Sequence, residues 1–376
     1  MALYKTLVKK VSISPEKKTK QKDYLPKGQL PIIDQGQQLI GGYLDNSDLQ
    51  LSCNLPVIVF GDHTRAVKYV DFPFGAGADG IKVLEPADGI YPKFLYYATQ
   101  YLVLRLEDRG YARHYQYIEK KELDIPSIPE QKRIVARIEE LFSELDNGVE
   151  TLRKTKQQLA VYRQAVVKSV LDAYCKDANT VKIGDVCHDV KVGIVIKPTQ
   201  YYVQSGGVRA FRNANVRRNY IEDNDWAMIS QEGHKQNSRS EIHNGDVLIA
   251  RSGVNLGMAA AVPEQYDGYN AIDVVIAVPK QDVVLPRYLA YYTNSPYGII
   301  SVKRNQRGVA QGHLNITVYG KLPLLLPTID VQNAIIKEID ARLSACDNIE
   351  KTVDIALQQA EAMRQSILKQ AFEGRL

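Results

Sequence analysis

Cysteine is scarce in this chain, with four in 376 residues: Cys53, Cys175, Cys187 and Cys346. None forms a Cys-x-x-Cys pair, so neither a disulfide framework nor a zinc site is expected, and the thiols are read as reduced. Long apolar runs are missing as well. No stretch reaches the roughly 18 residues of a membrane span, and the opening MALYKTLVKKVSISPEKKTKQK is basic but has no apolar stretch of a signal peptide. A cytoplasmic protein with no membrane partner is expected. There is no Gly-x-x-x-x-Gly-Lys-Ser/Thr loop, which excludes a P-loop ATPase, and no Asp/Asn-Pro-Pro-Tyr/Phe phrase of the kind an amino-methyltransferase uses to hold its target amine. The six histidines are scattered without metal-ligand spacing. GAGADG, residues 75–80, matches Gly-x-Gly-x-x-Gly, but the following IKVLEP reads as a strand ending at proline. A dinucleotide loop has to open a helix whose N-terminus holds phosphate, so that reading is rejected. No cofactor, no metal and no catalytic residue is expected.

What is present is an ordinary globular composition, 45% hydrophobic and 24% charged, in a chain long enough for two or three domains. Tyrosine is over-represented, 23 against 7 phenylalanines and one tryptophan. Its apolar ring and polar tip suit half-buried positions. The net charge is only +5, but it is unevenly placed. Seven lysines crowd the first 22 residues against the single acid Glu16, VRAFRNANVRRN (208–219) holds four arginines and no acid, and VKRNQRGVAQGH (302–313) holds three cations and no acid. Such stretches suit either solvated loops or a face turned to a polyanion.

Two segments have helical periodicity. In the first, Val135, Ile138, Phe142, Leu145, Val149, Leu152, Leu159, Val166 and Val170 recur at alternating steps of three and four, with Lys156 and Arg163 in the two remaining positions. That 3.5-residue repeat is a coiled-coil seam. Pro126 and Pro129 mark its start, and about 45 residues of helix span roughly 65 Å, too long for one small domain.

An offset of 201 positions superimposes the second segment on the first. Gln131 falls on Gln332, Ile138 on Ile339, Asp146-Asn147 on Asp347-Asn348, Gln157-Gln158 on Gln358-Gln359, and Arg163-Gln164 on Arg364-Gln365, without a gap. The flanking regions echo each other too: NLPVIVFGDHTRAVKYV and NGDVLIARSGVNLGMAAAV, YPKFLYYATQYL and LPRYLAYYTNSPYG, RGYARHY and RGVAQGH. The chain is an internal repeat. The expected fold is α+β: two mixed α/β domains, 1–124 and 177–324, separated by two long helical segments, 125–176 and 325–376. The helices are expected to pair as an antiparallel coiled coil about a pseudo-twofold axis, with Arg163 and Arg364 meeting acids of the partner helix or of a docked subunit. Tyr96, Tyr97, Tyr291 and Tyr292 are expected partly in the core, and Tyr111 and Tyr115 at the surface.

IPSIPEQKRIVARIEELFSELDNGVETL, RQAVVKSVL with its echo RQSILKQAFEG, LPIIDQGQQLIGGY, LPVIVFGDHTRAVKYVDFPF and GGVRAFRNANV resemble the DNA-specificity subunits of type I restriction–modification systems. The resemblance runs along essentially the whole chain. It departs at the second helix start, where Asp330-Val331-Gln332 stands after Pro327. It implies two target-recognition domains, each reading half of a split site in double-stranded DNA. It implies helices that fix the gap and dock two methyltransferase subunits, and motor-nuclease subunits as further partners. A competing expectation is an assembly scaffold that uses the same helices and reads no DNA.

Reading DNA calls for cations on phosphates and for planar forks on base edges, Arg on guanine and Asn or Gln on adenine. In the first domain the candidates are His63, Thr64, Arg65 and Lys68, with Arg109, Tyr111, Arg113 and His114. In the second they are Arg209, Arg212, Asn213, Asn215, Arg217 and Arg218, then Arg251, Ser252 and Asn255, then Lys303, Arg304, Arg307, Gln311 and His313. For Arg65 and Arg251 a salt bridge beside a strand is the competing reading, and Gly110 and Gly308 are candidate turn glycines.

Overall fold

The computed structural model describes residues 1–78, 80–107, 110, 112–305 and 313–376. The chain is α+β and divides into two compact units, residues 1–154 with 353–376, and residues 155–352.

In unit 1 a four-stranded antiparallel sheet runs in the order Val8–Val11, Ile81–Pro86, Val57–Gly61, Val67–Val70. The strand VIVFG is apolar without alternation because both its faces are covered. Ile58 and Phe60 pack with Leu95, Ala98 and Leu102 of the helix Pro92–Leu104. Val57 and Val59 pack with Phe74 and with Ile33 and Ala76 of a second sheet, in which Leu30–Ile33 pairs antiparallel with Gly42–Leu44 and parallel with Gly75–Gly77. Gly75–Gly77 is therefore a strand, and Ile81–Pro86 after it is another. Glycine is needed there for close packing, since a Cβ on Gly77 would stand 2.5 Å from Asp34 Cβ.

Unit 2 repeats this plan. Its four-stranded sheet runs Cys187–Val192, Val274–Pro279, Val247–Ala250, Ala259–Ala261, again antiparallel throughout. Val247 and Ile249 face a core shared with Tyr288, Leu289 and Tyr292 of the helix Pro286–Asn294. Leu248 and Ala250 face Phe211, Val216 and Ala271. In its second sheet Val208–Phe211 pairs antiparallel with Ala227–Ile229 and parallel with Asn270–Ala271, as Leu30–Ile33 does with its neighbours. In each unit a two-stranded ladder closes the chain just before a long helix: Ala2–Leu3 with Glu122–Leu123, and Asn179–Lys182 with Pro323–Leu326.

The long helices are Ile128–Tyr174 and Ile329–Phe372, 47 and 44 residues. Each is anchored by a wholly buried glutamine in its first turn. Gln131 Nε2 donates to Gly89 O (3.0 Å) and Pro126 O (2.9 Å), and its Oε1 accepts from Tyr91 N (2.7 Å). Gln332 does the same with Val283 O (2.9 Å), Pro327 O (2.9 Å) and Leu285 N (2.8 Å). The amide thus joins the long helix to the entry of the proline-led helix.

Each unit also holds a stretch of both long helices. In unit 1 Val135, Ile138 and Phe142 cluster with Leu368 and Ala371, Arg364 bonds Asp146, and Phe372 stacks on Tyr101 at 5.3 Å. Going up the first helix means going down the second, so the stretches run antiparallel. In unit 2 Lys156 lies 3.8 Å from Glu350, and Arg163 bonds Glu350 (2.8 Å) and Asp347 (2.6 Å). The 201-residue offset carries Arg163 onto Arg364 and Asp146 onto Asp347, so the two contacts are one contact with the helices exchanged.

Tyr97, Tyr291 and Tyr292 are buried. Tyr115 is buried too, against the surface expectation. It opens the short helix Tyr115–Ile118, and its ring packs 6.0 Å from Phe60. Tyr111 lies outside the described residues. The four cysteines are free thiols. Among the described residues no helix is long and apolar enough to cross a membrane, and no group of His, Cys, Asp or Glu is placed to hold a metal.

Candidate nucleic-acid interface

In both units the loops singled out in the sequence meet at one end of the four-stranded sheet. In unit 1 the turn after Val57–Gly61 is the hub. His114 N donates to Asp62 O (2.8 Å), His114 Nδ1 lies 3.0 Å from the same oxygen, and Tyr115 N donates to Asp62 Oδ1 (2.8 Å). Those bonds bring the segment of Arg113 against the turn that carries His63, Thr64 and Arg65. Thr64 Oγ1 donates to Gln35 O, and Lys68 Nζ donates to Asp34 O at 2.8 Å. They add a third loop, DQGQQ (34–38), in which Gln37 and Gln38 are exposed.

Burial sorts the candidates. Lys68 is 5% exposed and His114 1% exposed, so Lys68 Nζ and His114 Nδ1 hold the loops together inside the protein. Burial pushes the Lys68 ammonium below its ordinary pKa, and the Asp34 carboxylate offsets part of that shift. Arg113 is exposed, and His63, Thr64 and Arg65 are half-buried. Arg65 has a left-handed backbone, φ 61°, the conformation that a tight turn between paired strands imposes. Arg109 and Tyr111 lie outside the described residues.

In unit 2 the hub is Asn213. Its Nδ2 donates to Ser252 Oγ (2.9 Å) and Asp273 O (2.8 Å), its Oδ1 accepts from Arg251 N (2.7 Å), and its carbonyl accepts from Asn255 Nδ2 (3.0 Å). Leu314 N donates to Arg251 O (2.8 Å), which brings exposed His313 to the same place. This bond is the counterpart of His114 N to Asp62 O. Asn215 is buried, with its Oδ1 accepting from Arg212 N (2.9 Å) and its Nδ2 donating to Asn224 O (2.7 Å). Asn255 is buried likewise.

The arginine-rich stretch is not a bare cationic patch. Arg212 pairs with Asp225 (2.9 Å), Arg217 with Glu222 (3.4 Å), and Arg251 with Asp273 (3.3 Å). Arg251 thus follows the salt-bridge reading. The acids come from beyond the acid-free window. Arg209 is exposed and lies over the Trp226 ring, 5.1 Å from its centroid. Arg218, Lys303 and Arg304 are exposed. The Nε atoms of Arg212 and Arg251 are buried and find no acceptor in the protein. Arg307 and Gln311 lie outside the described residues.

Chemically, unit 1 offers the Arg113 guanidinium and the Gln37 and Gln38 amides, and unit 2 the Arg209 and Arg218 guanidiniums and the His313 imidazole, on loops tied together by hydrogen bonds. Such a surface grips anions and matches planar hydrogen-bonding edges. The sequence reading missed the 34–38 loop and the 193–197 loop, which is tied to Asp273 through Asp273 N to Ile194 O (3.0 Å). The phrase LPIIDQGQQLIGGY pointed to the first of these.

Residues 10–159 match the family model of the type I restriction modification DNA specificity domain. The chain is 26% identical over 276 residues to the type I restriction enzyme EcoBI specificity subunit of Escherichia coli, an alignment of 68% of this chain and 58% of that protein. With the EcoKI specificity subunit of Escherichia coli strain K12 it is 23% identical over 275 residues, 68% of this chain and 57% of that one. The chain thus spans a little under three fifths of the curated relatives it matches. Its fold resembles a solved chain described under "Structural basis underlying complex assembly and conformational transition of the type I R-M system". The TM-score is 0.67 at 14% identity, over 100% of this chain and 97% of that one. Residues 10–159 thus resemble the DNA specificity domain of type I restriction–modification systems, and 68% of the chain is similar to specificity subunits of such enzymes.

Proposed function

We propose that this chain is a non-catalytic subunit that reads a split sequence in double-stranded DNA for a type I restriction–modification complex. The observation that carries the reading is the duplicated loop cluster: in each unit corresponding loops meet at one end of the four-stranded sheet, where a main-chain N–H just before the last short helix donates to the turn after a central strand. Residues 1–124 and 177–324 would act as target-recognition domains, each on one half-site. The helical segments 125–176 and 325–376 would form the coiled coil that sets the gap and docks two methyltransferase subunits, with motor-nuclease subunits joining for restriction. The exposed cations Arg209, Arg218, Lys303 and Arg304 of unit 2 support a polyanionic ligand. Two linked readers gain both sets of contacts only where the gap is right, which is how a fixed spacing becomes specificity.

The test is base-resolution mapping of N6-methyladenine after co-expression with a type I methyltransferase subunit from the same genome. Two short half-sites around a fixed gap are the expected result. A methyltransferase that binds the chain yet marks no motif would favour the scaffold, and a contiguous motif would leave one reader.

The ion pairs between the helices bear on the gap. An apolar seam tolerates sliding, whereas an arginine bonded to two acids defines one register. Arg163→Leu is expected to keep the helical circular dichroism, since a partly exposed pair contributes only about 0.2–1 kcal/mol. The mapped motif should then appear with more than one gap length. An unchanged single gap, with unchanged assembly, would remove the register role.

A further inference from the structure

Val254 is 98% exposed and Ile196 76% exposed, the two most exposed aliphatic side chains of unit 2 among the described residues. Single exposed aliphatic residues are common on protein surfaces. These two sit on loops fastened to the same cluster. Ile196 follows Ile194, whose carbonyl accepts from Asp273 N (3.0 Å), and Asp273 in turn holds Asn213 and Arg251. Val254 is the tip of the turn that begins at Arg251 and Ser252.

That tip is rigid. Gly257 N donates to Ala250 O (2.8 Å), Ala250 N to Met258 O (2.9 Å), and Met258 N to Asn255 O (2.8 Å). Gly253 adopts φ 71°, which a side chain would strain, and the Asn255 side chain ties the turn to Asn213 O at 3.0 Å. A valine held almost wholly in water on such a turn gains nothing from the fold. With the cations Arg218 and Lys303 and the apolar Leu256, Met258, Ile299 and Val302 it lines a pocket of about 300 Å³. An exposed apolar group fixed beside cations has one common counterpart on duplex DNA, the thymine C5-methyl in the major groove.

Building on the proposed DNA-reading role, we propose that Val254 is a specificity-determining residue of unit 2 that contacts a thymine methyl group. The cations set the register on the backbone, and the valine distinguishes thymine from cytosine and from unmethylated uracil at one position. No polar partner is needed, so the contact leaves the exposed Arg209 and Arg218 for phosphates or neighbouring bases.

The test uses the full chain and a fluorescent duplex carrying its mapped split site. Each thymine is replaced in turn by deoxyuridine, which removes only the methyl group. One replacement should weaken wild-type binding about fourfold, the worth of one buried methyl. The Val254→Ser protein should bind both duplexes equally, at the affinity of wild type for the uracil duplex. A chain that binds the split site tightly but ignores every replacement overturns the inference and leaves the DNA-reading role intact. So does a Val254→Ser protein with undiminished preference for thymine. Equal affinity for the split site and random DNA overturns the role itself, and the inference with it.

Discussion

Replacing Gln332 by leucine lowers the stability of unit 2 by about 3 kcal/mol, and Gln131→Leu does the same in unit 1. Each substitution removes the three hydrogen bonds of a wholly buried amide and takes that partner from one N–H and two carbonyls in its half-buried surroundings, a loss larger than the small net value of one exposed bond. At the usual conversion for a unit of this size, the melting midpoint of that unit falls by about 8 °C. Glutamate is worse than leucine at neutral pH, because its carboxylate faces two carbonyl oxygens. Its pKa is raised in the folded protein above the unfolded value near 4.3. The penalty is therefore largest above the folded pKa and shrinks as pH falls toward the unfolded one. Calorimetry of Gln332→Leu and Gln332→Glu at two pH values checks both statements. A midpoint within a degree of wild type for the leucine variant would show that the anchor is dispensable.

The second large effect is on binding. Asn213→Ala removes the side chain that joins Ser252, Asp273 and Arg251 N, so three loops lose their common fastener. Affinity for the split site is expected to fall more than tenfold, since one such network loses more than one neutral hydrogen bond. Binding to random DNA and its salt dependence should change little, because those reflect the number of cations on phosphates, and no cation is removed. Anisotropy titrations at several salt concentrations separate the two terms. An equal loss on specific and random DNA would mean that the asparagine supports general affinity and not reading.

The sequence made much of this legible where the signal was periodic or repeated. Steps of three and four placed the long helices within a few residues of their observed ends, and the strand after Gly80 was readable from IKVLEP. The constant offset singled out Gln131 and Gln332 as identical, but identity along the chain carries no burial, and their role in anchoring the helix starts emerged only from the packing. The candidate site was legible as a set of loops and less so as atoms. His114 and Lys68 looked like surface cations because a window of sequence does not show Asp62 and Asp34 returning to meet them. The arginines of 209–218 looked unopposed because Glu222 and Asp225 follow outside the window, and Arg251 because Asp273 does. The 34–38 loop was passed over as a site because charge was the criterion and the loop holds no cation.

The exchanged ion pairs have a consequence for how errors accumulate. Each long helix carries the same message, an acid followed seventeen positions later by an arginine, at Asp146 and Arg163 and at Asp347 and Arg364. Read in opposite directions the two copies complement each other like the arms of a palindrome. Losing one arginine leaves the message written only once, which is why a single substitution already loosens the gap. Paired changes, 201 positions apart, erase both copies.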